Sequence, residues 1–119
     1  MKSYTDLDQS KKLAEILPIE SADMEYMFLK KDGSKISNVP FVKDGFEEPD
    51  CCYIFIHCWS LAALLDILPE IKDGKPIIVL DDNYITYPLI NDLHTKSDND
   101  NLIDACVEMI LKLHKQNLL

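Results

Sequence analysis

The sequence predicts one α+β domain, with three helices at about residues 6–17, 61–68 and 102–115 packed on a mainly antiparallel sheet. Three observations lead there. A chain of 119 residues suits a single domain, with no room for a second core. Hydrophobic residues make up 47% of it, enough to build that core and far above what a disordered chain carries. Helix-period segments are separated by β-rich pairs joined through short turn signals, instead of alternating regularly with single strands.

The first helix spans Asp6 to Leu17, with Leu13, Ile16 and Leu17 on one face and Thr5 or Asp6 as cap. Pro18 stops it, because the residue before a proline is pushed out of the helical region. Met24 to Lys30 reads as a strand, with Met24, Tyr26 and Phe28 facing one way and Glu25, Met27 and Leu29 the other. Lys31 to Ser34 turns the chain, and Lys35 to Val42 returns as a second strand, which Pro40 places near an edge. All three glycines sit in the tripeptide Lys-Asp-Gly, at 31–33, 43–45 and 72–74, where glycine would supply positive φ to a turn. Glycines so far apart exclude the common phosphate-binding loops.

Glu47 to Asp50 forms an acidic loop with Pro49, and Cys52 to Ile56 reads as a buried strand. Ser60 caps the helix Leu61 to Leu68, which Pro69 ends. Trp59 is expected to be mostly buried, packing back on Leu64 or Leu65 and beside the C-terminal helix. Lys75 to Leu80 is a strand, a turn follows at Asp82-Asn83, and Tyr84 to Leu89 returns. Ile90 to His94 adds an extended piece, and Thr95 to Asp100 is a polar loop. Asn101 caps the longest helix, Leu102 to Lys115, with Asp104 completing a capping-box-like pair. The segment Leu13 to Pro18 echoes Leu64 to Pro69 at an offset of 51 residues, which a shared helix-stop signal explains more cheaply than a duplication.

Charge narrows the partners. The net charge is −9, and all twelve basic residues are lysines. Arginine is the preferred fork for phosphates and guanine edges, so its absence and the acidic field argue against nucleic acid. No apolar run is long enough to span a membrane, and the first residues lack the apolar stretch of a signal peptide. A cytoplasmic location is expected. Four cysteines, three of them within positions 51–58, are not spaced as a disulfide framework, so reduced thiols are expected.

Four groupings could carry chemistry. Cys51, Cys52, His57 and Cys58 have the ligand types of a zinc site without the two-to-four-residue spacing of a ligand pair, so core cysteines are the preferred reading. Cys58 could be a nucleophile with His57 or His94 as base, but no oxyanion loop accompanies it. Asp81-Asp82, after an apolar strand, could begin a magnesium site, yet Asn83 and the β-rich residues beyond it favour a hairpin turn. Asp98 to Asn101 suggests calcium but lacks the glycine and glutamate of a calcium loop, leaving helix capping. No catalytic, cofactor or metal residue is therefore assigned.

Three stretches together carry a resemblance: Lys11 to Pro18 with Glu20 to Met24, the segment Cys58-Trp59-Ser60-Leu61-Ala62-Ala63-Leu64-Leu65-Asp66-Ile67-Leu68-Pro69, and Asp100 to Ile110. The chain resembles a group of small proteins of unassigned function from gut bacteria and their phages or mobile elements. The resemblance covers most of the chain, is looser over 25–57, and implies no activity. The expectation is a non-enzymatic accessory or protein-interaction domain of phage or mobile-element origin. Its partner would be a protein, with neither nucleic acid nor membrane involved. The rival is a small hydrolase or metal-dependent enzyme using Asp81, Asp82 and a histidine such as His94.

Overall fold

The computed structural model describes residues 2–43, 52–90, 92–97 and 101–119. The acidic loop at Glu47 to Asp50, Cys51, Gly45 and Asp98 to Asp100 lie outside the described residues. Among the described residues ten elements build the domain, which is α+β as the patterning predicts.

Helix α1 (Leu7–Ala14) starts in a reciprocal capping box. Gln9 N–H donates to Asp6 Oδ1 at 2.8 Å, and Asp6 N–H donates to Gln9 Oε1 at 3.1 Å. It ends three residues before the expected Leu17. Glu15 N–H and Ile16 N–H instead donate three residues back, to Lys12 O and Leu13 O, tightening the last turn ahead of Pro18.

Strands β1 (Met24–Leu29), β2 (Phe41–Val42) and β3 (Tyr53–Cys58) form an antiparallel sheet in the order β2-β1-β3. The returning strand expected over Lys35 to Val42 is mostly absent. Lys35 bridges to Phe28, and pairing resumes only at Phe41 and Val42 against Glu25 and Met24. The returning chain thus uses three more residues than β1 over the same stretch, and the buried Pro40, which has no N–H to donate, ends the excursion. Strand β3 is shifted from the expected Cys52 to Ile56 and carries on through His57 and Cys58.

Ser60 caps α2 (Leu61–Ile67) by accepting from Ala63 N–H at 3.2 Å. Leu68, held at ψ 113 before Pro69, has already left the helix. At 72–74 the expected roles are exchanged: Lys72 and Asp73 take the positive φ values, 50 and 62, in a tight turn closed by Ile71 and Gly74. Gly74 serves close approach instead, since a Cβ there would stand 2.9 Å from Leu89 Cδ1.

A second antiparallel sheet, β4 (Ile77–Val79), β5 (Tyr84–Thr86) and β6 (His94–Lys96), runs in the order β4-β5-β6. Two small sheets therefore replace the single one expected. The β4–β5 turn spans Leu80 to Asn83, taking in the predicted Asp82-Asn83 and starting two residues earlier, with Asn83 at φ 49. Both strands are shorter than expected, and the extended piece expected over Ile90 to His94 is replaced by a turn at Pro88-Leu89 and a strand that starts only at His94. Thr95, placed in a loop by its polar neighbourhood, is a buried strand residue. It sits opposite Ile85 and donates its hydroxyl to Ala105 O at 2.7 Å, which satisfies the one polar group a core face would penalise.

Helix α3 (Leu102–Lys115) starts where Asn101 Oδ1 accepts from Asp104 N–H at 2.8 Å. It buries Ile103, Cys106, Met109, Ile110 and Leu113 completely and forms the centre of the core. Against it pack Leu13 and Leu17, Trp59, Leu64 and Leu68, with Ile85 of the second sheet and the residues Tyr87 and Leu93 that flank its strands. The echoing segments thus place Leu13 and Leu64, and Leu17 and Leu68, in one core, and both helices stop ahead of the proline, the first at Ala14 and the second at Ile67. The first sheet contributes nothing to this cluster: Tyr26 and Cys58 are buried against the N-terminal segment and α1 instead. The molecule measures 49 × 26 × 22 Å, elongated for its size. No described helix is long and apolar enough to cross a membrane.

Candidate functional site

The sequence candidates are dispersed. His57 and Cys58, adjacent on β3, point to opposite sheet faces. Cys58 is fully buried in a knot of short polar groups: Thr5 Oγ1 contacts it at 3.5 Å, and its Sγ–H donates to Thr5 O at 3.4 Å. Ser10 Oγ lies 2.8 Å from Thr5 Oγ1, and Tyr26 OH donates to Thr5 O at 2.8 Å. Burial pushes the Cys58 thiol up, against partial relief from hydrogen bonds with Thr5, Ser10 and Tyr26. A raised, enclosed thiol is the opposite of an activated nucleophile. The knot instead fastens the N-terminal segment to the start of α2, where Thr5 N–H also donates to Trp59 O at 2.9 Å.

His57 faces the other side, paired across the ladder with Glu25. Burial, and then the charge of Lys43, hold its imidazole below the ordinary value, while Glu25 pulls the other way. His94 belongs to the second sheet, where its ring lies 5.9 Å from Tyr84. Asp81 and Asp82 are exposed in the β4–β5 turn. That turn adjoins the end of β5 where Tyr84 meets Lys96, whereas His94 pairs with Thr86 toward the opposite end. The cavities by Gln9, Lys12, Lys96 and Glu108, by Ile71 and Tyr87, and by Asp6 and Asn38 are lined by none of Asp81, Asp82 or His94. Among the described residues no three histidine, cysteine, aspartate or glutamate side chains stand close enough to hold a metal ion.

What the fold does assemble is an apolar surface. Pairing puts Tyr26, Ile56 and Cys58 on the sheet face covered by α1 and the N-terminal segment. The other face carries Met27 and Leu29 of β1, Tyr53 and Phe55 of β3 and Phe41 of β2, with Ile36 beside Met27 through a 3.0 Å backbone bond and the polar pair Glu25 and His57 at the Phe41 end. Ile36, Phe41 and Tyr53 remain 42%, 40% and 36% exposed. The strand read from sequence as buried is thus an edge strand with Tyr53 exposed on this face and Ile54, 46% exposed, on the other. Apolar residues on both faces are the pattern of a sheet sandwiched between two layers. The helix in main contact with this sheet is α1, on one face. At its tip Lys30 and Lys31 are exposed beside Asp32, while Lys35, bridged to Phe28, lies toward the face that α1 covers.

Comparison with family models, curated proteins and solved structures finds no match to this chain.

Proposed function

We propose that the chain is a non-enzymatic accessory domain that binds another protein through the outer face of the β2-β1-β3 sheet. One observation carries this reading: a sheet apolar on both faces has a helix layer on one of them. A contiguous apolar patch of this kind, rimmed by polar residues, is what a partner surface requires. Lys30 and Lys31 at the tip of the sheet suit a partner whose apolar contact is bordered by carboxylates. A net charge of −9 with no arginine favours a protein over a nucleic acid. The resemblance to phage and mobile-element proteins of gut bacteria fits an accessory role in the cytoplasm, where the cysteines stay reduced. The enzymatic reading has less support, because Asp81, Asp82 and His94 share none of the described cavities.

The test is quantitative affinity capture from the native host with three baits: the natural chain, Phe41→Lys and Tyr53→Lys. A partner retained by the natural chain and lost by both variants supports the reading. Equal recovery with all three baits would place binding elsewhere.

A further inference from the structure

We propose that the chain self-associates by antiparallel pairing of β4 with β4 of a second copy, joining two second sheets into one of six strands. Strand β4 is the outer strand of the order β4-β5-β6, and no described strand pairs with its other edge. Its outer-face residues Ile77 and Val79 are 50% and 36% exposed. An open apolar edge is a template for another strand, and an identical edge is always at hand.

The hydrogen-bond phase selects the register. Tyr87 N–H donates to Leu93 O at 2.9 Å and Ser97 N–H to Asn83 O at 3.1 Å, so the odd positions of β5 address β6. Tyr84 and Thr86 therefore address β4, meeting Val79 and Ile77 in hydrogen-bonded pairs. By alternation, the free edge presents the Ile78 N–H and C=O, the Pro76 C=O and the Leu80 N–H. A two-fold axis through Ile78 satisfies this set. Ile78 exchanges both bonds with its counterpart, and each Pro76 C=O accepts from Leu80 N–H of the other copy. The donor that Pro76 lacks falls opposite Leu80 O, which already accepts from Asn83 N–H at 3.3 Å.

Side chains agree with that register. Ile77 stands opposite Val79 of the second copy, a β-branched pair in the outer face. One step further on each side, exposed Lys75 stands opposite exposed Asp81, and symmetry makes this contact twice. Slipping the register by two residues would lose both ion pairs and leave a proline facing a carbonyl that needs a donor.

Sedimentation equilibrium tests this directly. The mass should rise from 13.7 kDa toward twice that value as concentration increases from about 10 µM to 1 mM, the range of a small interface. Lys75→Asp alone, or Asp81→Lys alone, should weaken association about tenfold by placing like charges opposite one another twice. The double variant Lys75→Asp with Asp81→Lys should recover to within about twofold of the natural chain. Both positions are exposed, and circular dichroism checks that the fold is kept. A constant monomer mass, a dimer indifferent to either single reversal, or a double reversal that restores nothing would overturn the proposal. So would a dimer broken by Phe41→Lys and untouched by the charge reversals, since the contact would then lie on the first sheet.

Discussion

Trp59 donates its indole Nε1–H to Ser21 Oγ at 2.9 Å, while the same hydroxyl donates to Pro18 O at 2.6 Å. The largest side chain of the core is thereby tied to the turn that carries α1 into β1. Trp59→Ala should destabilise the protein by about 3–5 kcal/mol, the range for emptying a packed aromatic site. Ser21→Ala leaves a buried donor unpaired and should cost about 1–3 kcal/mol. Urea unfolding measures both; a loss under about 1 kcal/mol for Trp59→Ala would place the indole outside the core.

Cys58 and Cys106 are free, buried thiols, and burial pushes Cys106 up to about 12. Both should resist a disulfide reagent in the native protein and react only as fast as the structure opens. In denaturant without reductant, four thiols should titrate from freshly purified protein, matching the four cysteines of the chain. A count of two would reveal a disulfide.

Two groups link stability to pH in the same direction. Burial and Lys43 keep folded His57 below its ordinary 6.5, so the unfolded chain takes up a proton first as the pH falls. Its contribution is present above pH 6.5 and lost on acidification below it. Asp104 acts lower. Burial raises it, but hydrogen bonds from Gln9 at 2.7 Å, Lys2 at 3.0 Å and Asn101 at 2.8 Å outweigh burial and hold it below 3.8. Its contribution is present above pH 3.8 and lost as the pH falls further. His57→Gln should flatten the first limb of the stability profile and Asp104→Asn the second. Unchanged limbs would mean that these groups titrate alike in both states.

Local chemistry was legible in the sequence, and tertiary choice was not. The cap at Asp6, one of the two offered, the cap at Asn101 and the stop before Pro69 depend only on near neighbours, whereas the reciprocal bond from Gln9 and the early end of the first helix at Ala14 were not read. Thr95 looked like loop because its neighbours are polar, and its strand exists only because Ile85 and Ala105 receive it. The run from Tyr53 to Ile56 looked buried because it is apolar on both faces. Whether a second layer covers such a strand is decided by the rest of the chain, so the outer face of the first sheet could not be recognised from its own residues. The division into two sheets is hidden for the same reason: strand patterning says which residues pair well, not how many edges are left open.

The outer face of the first sheet, proposed as a binding surface, should be no part of the core. The most direct measurement is the unfolding free energy of the isolated domain carrying Phe41→Lys together with Tyr53→Lys. Phe41 lies opposite Glu25 in the ladder, so its lysine replacement faces an opposite charge. Stability should stay within about 0.5 kcal/mol of the natural chain, as for surface substitutions, while partner capture is lost. A loss of about 3 kcal/mol or more, the size of a core deletion, would contradict the account by showing that these side chains already pack inside the folded protein.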